Sequence, residues 1–243
     1  MKTRFFEIDA LRGIAIIFMI LYHIFYDLYY FTGLDIDLWS GSLWFIGRAS
    51  AATFIFLVGV SLTISFSRTK NKLTEKEMFR KYFHRGTRIF SWGLLITVMT
   101  YLFLDKGTIY FGILHFIGLS IMLAYPFLKL RQLNVLLAAA VIAIGLYLKD
   151  LAFNTAFLIP LGVRPEIFYT LDYFPLFPWF GAVLLGIYIG NTFYPKGKRD
   201  FQIPDLKRQL RPLVYLGKNS LMIYLIHQPI LIAVIYIASG SLI

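Results

Sequence analysis

The 243-residue chain has no cysteine, which excludes disulfides, thiolate catalysis and cysteine-ligated metal sites. Charge is also scarce: 15% of residues are charged, against about 25% in a soluble domain. Acidic residues are the scarcer sign, 13 against 24 Lys and Arg. Histidine numbers only four, with no i, i+4 pairing and no carboxylate–histidine spacing that resembles a zinc site. No metal is therefore expected. A Walker loop and a G-x-S-x-G elbow are both missing, which removes two common routes to phosphate binding and nucleophilic catalysis. There is no low-complexity tract and no evident internal repeat, so a single domain over 1–243 is expected.

What the chain does have is hydrophobic mass. Fully 58% of it is apolar and 18% is aromatic, a composition for packing against lipid and anchoring at two interfaces. A spanning helix needs about 20 mainly apolar residues. Seven stretches qualify: about 10–30, 43–66, 87–104, 110–128, 133–149, 174–193 and 216–238. The expected fold is an all-α, polytopic membrane helix bundle. The first apolar stretch is too long and too aromatic for a signal peptide and lacks a small-residue cleavage site, so it reads as a retained helix. Leu151–Tyr173, broken by Pro160 and Pro165, reads as an outer loop or re-entrant segment.

The basic residues set the orientation. Twenty of the 24 fall on alternate connections, including eight between Ser67 and Arg88. Those connections share one side, and the positive-inside rule makes it cytoplasmic. The N-terminus is thus expected inside and the C-terminus outside. Arg48, Lys106, Lys149 and Arg164 fall on the opposite side with Asp35, Asp37 and Asp172. This placement also excludes a nucleic-acid partner, because the cations anchor loops instead of lining a groove. A retinal protein would need a lysine deep in its last helix, whereas Lys218 lies only at the mouth.

Against this background RGIAIIFMILYHIFYDL, residues 12–28, keeps three ionisable groups. On a helix wheel with Arg12 at zero, His23 returns to about 20°, Asp9 and Asp27 to about 60°, and Tyr30 to about 0°. They form one stripe. Arg12 and His23 differ in depth by roughly 16 Å, so Arg12 belongs near the cytoplasmic face and His23 in the outer half. Ionisable groups in a span are costly unless they face a protein interior or wet cavity, which marks them as functional candidates. Ordinary polar helix packing is the competing explanation. Arg48, His115 and Asp172 belong near the same outer depth. His227, in YLIHQPI, lies mid-helix, where hydrogen-bonded packing and function are both open. His84 sits in a basic run and reads as solvated.

The R-x10-H spacing of Arg12 and His23 is similar to helix 1 of acyltransferase-3 type membrane enzymes. EIDALRGIAI, FGILHFIGLS, DYFPLFPWFGAVLLG and LGKNSLMIYLIHQPI resemble the heparan-alpha-glucosaminide N-acetyltransferase catalytic-domain family in its small prokaryotic form, over almost the whole chain. The R-x-x-R pair Arg85 and Arg88, expected at the cytoplasmic start of a helix, matches a further element.

The resemblance implies an acyl-CoA-dependent transferase. It would move an acyl group, acetyl by family, from cytoplasmic acyl-CoA to a hydroxyl or amine of an external glycan or sugar-like acceptor, in a multi-pass protein of the cell membrane. It further implies His23 as general base oriented by Asp27, and Arg12, Arg85 and Arg88 at the donor phosphates. Arg48, His115 and Asp172 are candidates for holding the acceptor or the oxyanion. Direct transfer and an acyl-histidine intermediate are both open. Animal members carry asparagine at the His23 position and a histidine in the first outer loop, which here has none. The chain is also shorter than its larger relatives, which fits either a core without their added helices or a core completed as a homodimer. The alternative function is a proton-coupled small-molecule transporter built on His23 and Asp27.

Overall fold

A computed structural model describes residues 4–104, 107–153 and 155–239; Lys2 and Lys106 lie outside these. The protein is all-helical, 73% helix, with no strand among the described residues. Among the described residues eight α-helices follow in order: α1 Phe6–Thr32, α2 Gly41–Thr69, α3 Glu75–Phe103, α4 Ile113–Leu123, α5 Leu133–Leu148, α6 Leu176–Phe193, α7 Arg211–Lys218 and α8 Ser220–Ser239. Five of them, α1, α2, α3, α6 and α8, are long and apolar enough to cross a membrane. The helix α4 has 11 residues and α5 has 16, about 16 and 24 Å at 1.5 Å per residue. The stretch expected as a span over 110–128 is shorter because it begins at the Gly112 cap and ends before Pro126, which opens a 3-10 turn. Among the described residues of 151–173 there is no α-helix, only a 3-10 segment over Ala156–Leu161 that includes Pro160.

Two further boundaries differ from expectation for identifiable reasons. The basic run 67–88 is mostly helix, not connection, because α3 already starts at Glu75. Thr74 caps it: the Thr74 hydroxyl accepts from the Glu77 amide, and the Glu77 carboxylate accepts from the Thr74 amide at 2.8 Å. Arg85 and Arg88 consequently lie inside α3, ten and 13 residues beyond its first residue, Glu75. The last expected span, 216–238, divides at Asn219 into α7 and α8. That break lets α7 turn onto α1 at two glycines. A Cβ on Gly217 would strike the Asp9 carbonyl, and one on Gly13 would strike the Leu213 carbonyl.

The chain forms two compact units. The first comprises residues 1–54 and 203–243, where α1 packs against both α7 and α8. In it α1 presents two faces. Asp9, Gly13, Ile16, Met19 and Asp27 are buried, while Leu11, Ile14, Ile17 and Leu21 are exposed, as a lipid-facing side should be. The second unit, residues 55–202, pairs α3 with α4 and α5 with α6. There the C-terminal part of α2 crosses α6 at glycines: a Cβ on Gly59 would overlap the Val183 carbonyl, and one on Gly186 the Phe56 carbonyl. Small residues permit this close backbone approach. In this unit the α2–α3 turn, the turn before α5 and the end of α6 meet around one cavity, so these three segments share one end.

Candidate functional site

The polar stripe of α1 meets α8 within the first unit. His23 and His227 face each other edge to face, with ring centroids 4.9 Å apart. The Nδ1 of His23 lies 2.8 Å from the Met19 carbonyl, and the Nδ1 of His227 lies 2.6 Å from the Tyr224 carbonyl. A carbonyl only accepts, so both Nδ1 atoms carry the proton and both Nε2 atoms hold the basic lone pair. The Nε2 of His227 is buried and finds no hydrogen-bond partner among the described residues. Two neutral imidazoles are thus fixed in the same tautomer by their own helices.

One turn further along α1, Asp27 is fully buried at 0% exposure. Its Oδ1 accepts from Gln228 Nε2 at 2.6 Å, across 201 residues of sequence. Asp27 Oδ2 and Gln228 Oε1 are buried without hydrogen-bond partners among the described residues. Unpartnered buried polar atoms carry a desolvation cost, and three of them on neighbouring side chains mark a polar locus in an otherwise apolar interface. Asp27 was expected to orient His23. His23 instead donates Nδ1–H to the Met19 carbonyl, and Asp27 accepts from Gln228.

At the other end of the stripe, Asp9 gathers two arginines. Arg4 reaches its Oδ2 at 3.0 Å and Arg12 its Oδ1 at 2.8 Å. Asp9 is buried and Arg12 partly so, and the pair ties the start of α1 together. Arg48 is exposed on α2, with its guanidinium 6.0 Å from the Trp44 ring centroid. Its neighbour Gly47 lies against the Tyr22 ring, so this turn of α2 abuts α1 beside His23.

In the second unit, His115 and Asp172 come together at the start of α4. Asp172 Oδ2 accepts from the Ile113 amide at 2.9 Å, capping the helix from a remote segment. The Gly112 amide donates to His115 Nδ1 at 3.3 Å. That puts the His115 proton on Nε2, which lies 3.3 Å from Thr97 Oγ1; the Thr97 hydroxyl donates onward to the Ile109 carbonyl. Both ring nitrogens of His115 are therefore engaged in closing α4, and the ring packs between Phe90 and Phe111. Burial pushes the Asp172 carboxyl up to about 6, against the pull of the Ile113 amide. Arg85 and Arg88 are exposed on α3.

His227 and Gln228 complete the locus, yet the sequence left His227 undecided and gave no reason to choose Gln228. The available signal was the adjacency of two polar residues to Pro229 inside an apolar helix. Among the described residues, no group of three or more His, Cys, Asp or Glu could hold a metal.

The profile of one family, described as heparan-alpha-glucosaminide N-acetyltransferase, catalytic, matches residues 4–229. No curated protein matches the chain. No solved structure matches it either. The matched range includes every residue of the His23–Asp27–His227–Gln228 locus, together with Arg12, Arg48, Arg85, Arg88, His115 and Asp172. The family implies an acetyltransferase, and five apolar helices make this a multi-pass membrane protein. A membrane-embedded chain matched over nearly its whole length belongs to the heparan-alpha-glucosaminide N-acetyltransferase catalytic family.

Proposed function

We propose that the whole chain acts as one acyltransferase domain in the cell membrane. It carries an acetyl group from cytoplasmic acetyl-CoA to a hydroxyl or amine of a glycan or other sugar-like acceptor outside. The single observation that carries this reading is the facing pair of imidazoles, each with Nε2 as its basic nitrogen and one of those atoms buried without a partner. A general base must present a lone pair within reach of the acceptor proton, and here the backbone fixes the tautomer that does so.

In the proposed step, Nε2 of one histidine takes the proton from the acceptor X–H as X attacks the thioester carbonyl. The resulting oxyanion collapses, the C–S bond breaks, and the imidazolium returns its proton to the departing CoA thiolate. Atoms and charges balance without a metal. The second imidazole stands at 4.9 Å, where it can accept the acceptor's proton if the first is itself acylated, so an acyl-histidine route is open to the same pair. Asp27, one turn along α1 and held by Gln228, is assigned to stabilising that imidazolium when ionised. Arg48 is assigned to the acceptor or the oxyanion. Arg12, Arg85 and Arg88 are assigned to the donor's phosphates, with Arg12 held in place by Asp9. His115 and Asp172 are assigned to holding α4 in position.

The test uses purified protein in lipid nanodiscs with radiolabelled acetyl-CoA, following free CoA, protein-bound acetyl and acetylated sugars. Thioester cleavage that requires a sugar acceptor and is lost in His23→Ala and His227→Ala supports the reading. Turnover unchanged in both variants would remove the histidine pair from the chemistry. Proton-driven solute uptake into liposomes without any CoA release would favour a transporter instead.

A further inference from the structure

The second unit holds a cavity of about 560 Å³ that the acyl-transfer reading does not use. Its volume falls in the range of small-molecule sites, roughly 300–1,000 Å³. Cations reach it from two directions: Lys70 just past the end of α2, and Lys129 and Arg131 in the turn before α5. One carboxylate, Glu75, joins them, but it is already engaged by Lys129 at 2.5 Å and by the Tyr125 hydroxyl. The lining therefore carries a net positive charge. Phe66 and Leu128 give it an apolar wall.

Two details set this cavity apart from a loose cluster of surface lysines. Asn191, near the end of α6, lines it with a buried amide nitrogen that has no hydrogen-bond partner among the described residues. A buried donor left open beside cations suits an oxyanion. Arg131 is held at φ +40°, a left-handed backbone that residues with side chains seldom adopt. Departures of this kind gather where a side chain must be aimed at a ligand.

We propose that this cavity binds an organic phosphate, a phosphomonoester or diphosphate carried on a larger molecule. Lys70, Lys129 and Arg131 supply the charge and Asn191 an amide donor. Arginine and lysine beside a fixed N–H donor are the usual chemistry of phosphate oxygens, and the apolar wall accepts the ring or chain that carries them. The phosphate can come from a soluble nucleotide or from an anionic lipid headgroup. The proposal does not depend on the histidine pair or on acyl transfer.

The experiment uses full-length protein in nanodiscs of two compositions. In neutral phosphatidylcholine discs, calorimetric titration with adenosine 5′-diphosphate and with inorganic pyrophosphate reads the soluble source. In discs containing phosphatidylglycerol, native mass spectrometry of retained lipid reads the headgroup source. The variants are Arg131→Gly, which suits the left-handed backbone while removing the cation, and Asn191→Asp, which replaces the donor with a repelling charge at nearly constant shape. We expect at least a tenfold loss of affinity for the soluble probes, or loss of the retained anionic lipid, in both variants, with unchanged melting temperature. Equal binding by wild type and both variants overturns the proposal, and so does binding of neither source. Probe binding without acetyl turnover leaves the proposal standing and removes the acyltransferase reading; turnover without binding of either source does the reverse.

Discussion

His23 on α1 and His227 on α8 stand with ring centroids 4.9 Å apart, each donating Nδ1–H to a carbonyl of its own helix. The two rings are the same tautomer for the same reason, and their basic nitrogens do not depend on each other for a proton. Each can therefore be removed singly without changing the tautomer of its partner. His23→Ala and His227→Ala should each lower acetyl transfer by about 100-fold or more, the usual scale of general acid–base catalysis. The double variant should fall little further if the rings act as a unit. Steady-state rates of CoA release in the three variants decide this, and a fully multiplicative double loss would show that the rings act independently.

The Asp27–Gln228 hydrogen bond, 2.6 Å long, ties α1 to α8 one turn from the histidines. Gln228→Leu removes the donor and leaves a buried carboxyl unpartnered, at a cost of about 1–3 kcal/mol. Replacing both residues by leucine should recover part of that loss, because no polar atom is then stranded. Thermal melts of the two singles and the double in detergent form the double-mutant cycle. Additive losses would mean that the pair is not coupled.

Asp9 is the hub of a charged cluster in which Arg12 is partly buried and the Arg4 side chain is 55% exposed. The two arginines should therefore contribute unequally. Asp9→Ala leaves the Arg12 charge without its carboxylate and should cost about 3 kcal/mol, whereas Arg4→Ala should cost less than about 1 kcal/mol. Denaturation in detergent at two salt concentrations checks the ranking, and only the Arg4 contribution should fade as salt rises.

Asp172 gives a pH signature. Its carboxyl is pushed up to about 6 from 3.8 by burial. The folded state holds the proton more tightly than the unfolded chain, so this group's stability is fully present below about 3.8 and is lost as pH rises through about 6. The step is on the order of 1–3 kcal/mol. Asp172→Asn keeps an acceptor for the Ile113 amide but cannot ionise, so its melting temperature should lack the decline between pH 4 and 7. An unchanged profile would show that Asp172 does not titrate there.

Much of the fold, and the α1 side of the candidate site, could be read from the residues. The wheel of α1 put Asp9, Arg12, His23 and Asp27 on one face, and the buried and exposed sides of that helix agree. What a wheel cannot supply is the partner helix. Gln228 is 201 residues from Asp27, and nothing in local periodicity ties position 27 to position 228. The same limit applies to His115 and Asp172. The basic loops predict a shared depth for them, but only the remote cap on Ile113 reveals that they serve one helix start. The start of α3 is a different case. Thr74 and Glu77 stand at capping-box spacing in the sequence, and the run of lysines and arginines, read only as a loop signal, hid it.

The crossing of α2 and α6 carries a mechanical consequence. At Gly59 and Gly186 main chain meets main chain, with no side chain between them to rotate or yield. Such a contact works as a rivet: it can come apart, but it cannot slide by degrees. Any displacement that accompanies a catalytic cycle must hinge elsewhere in the protein. Spin labels placed on the C-terminal part of α2 and on α6, in a chain that has no cysteine of its own to interfere, should hold one fixed separation throughout turnover.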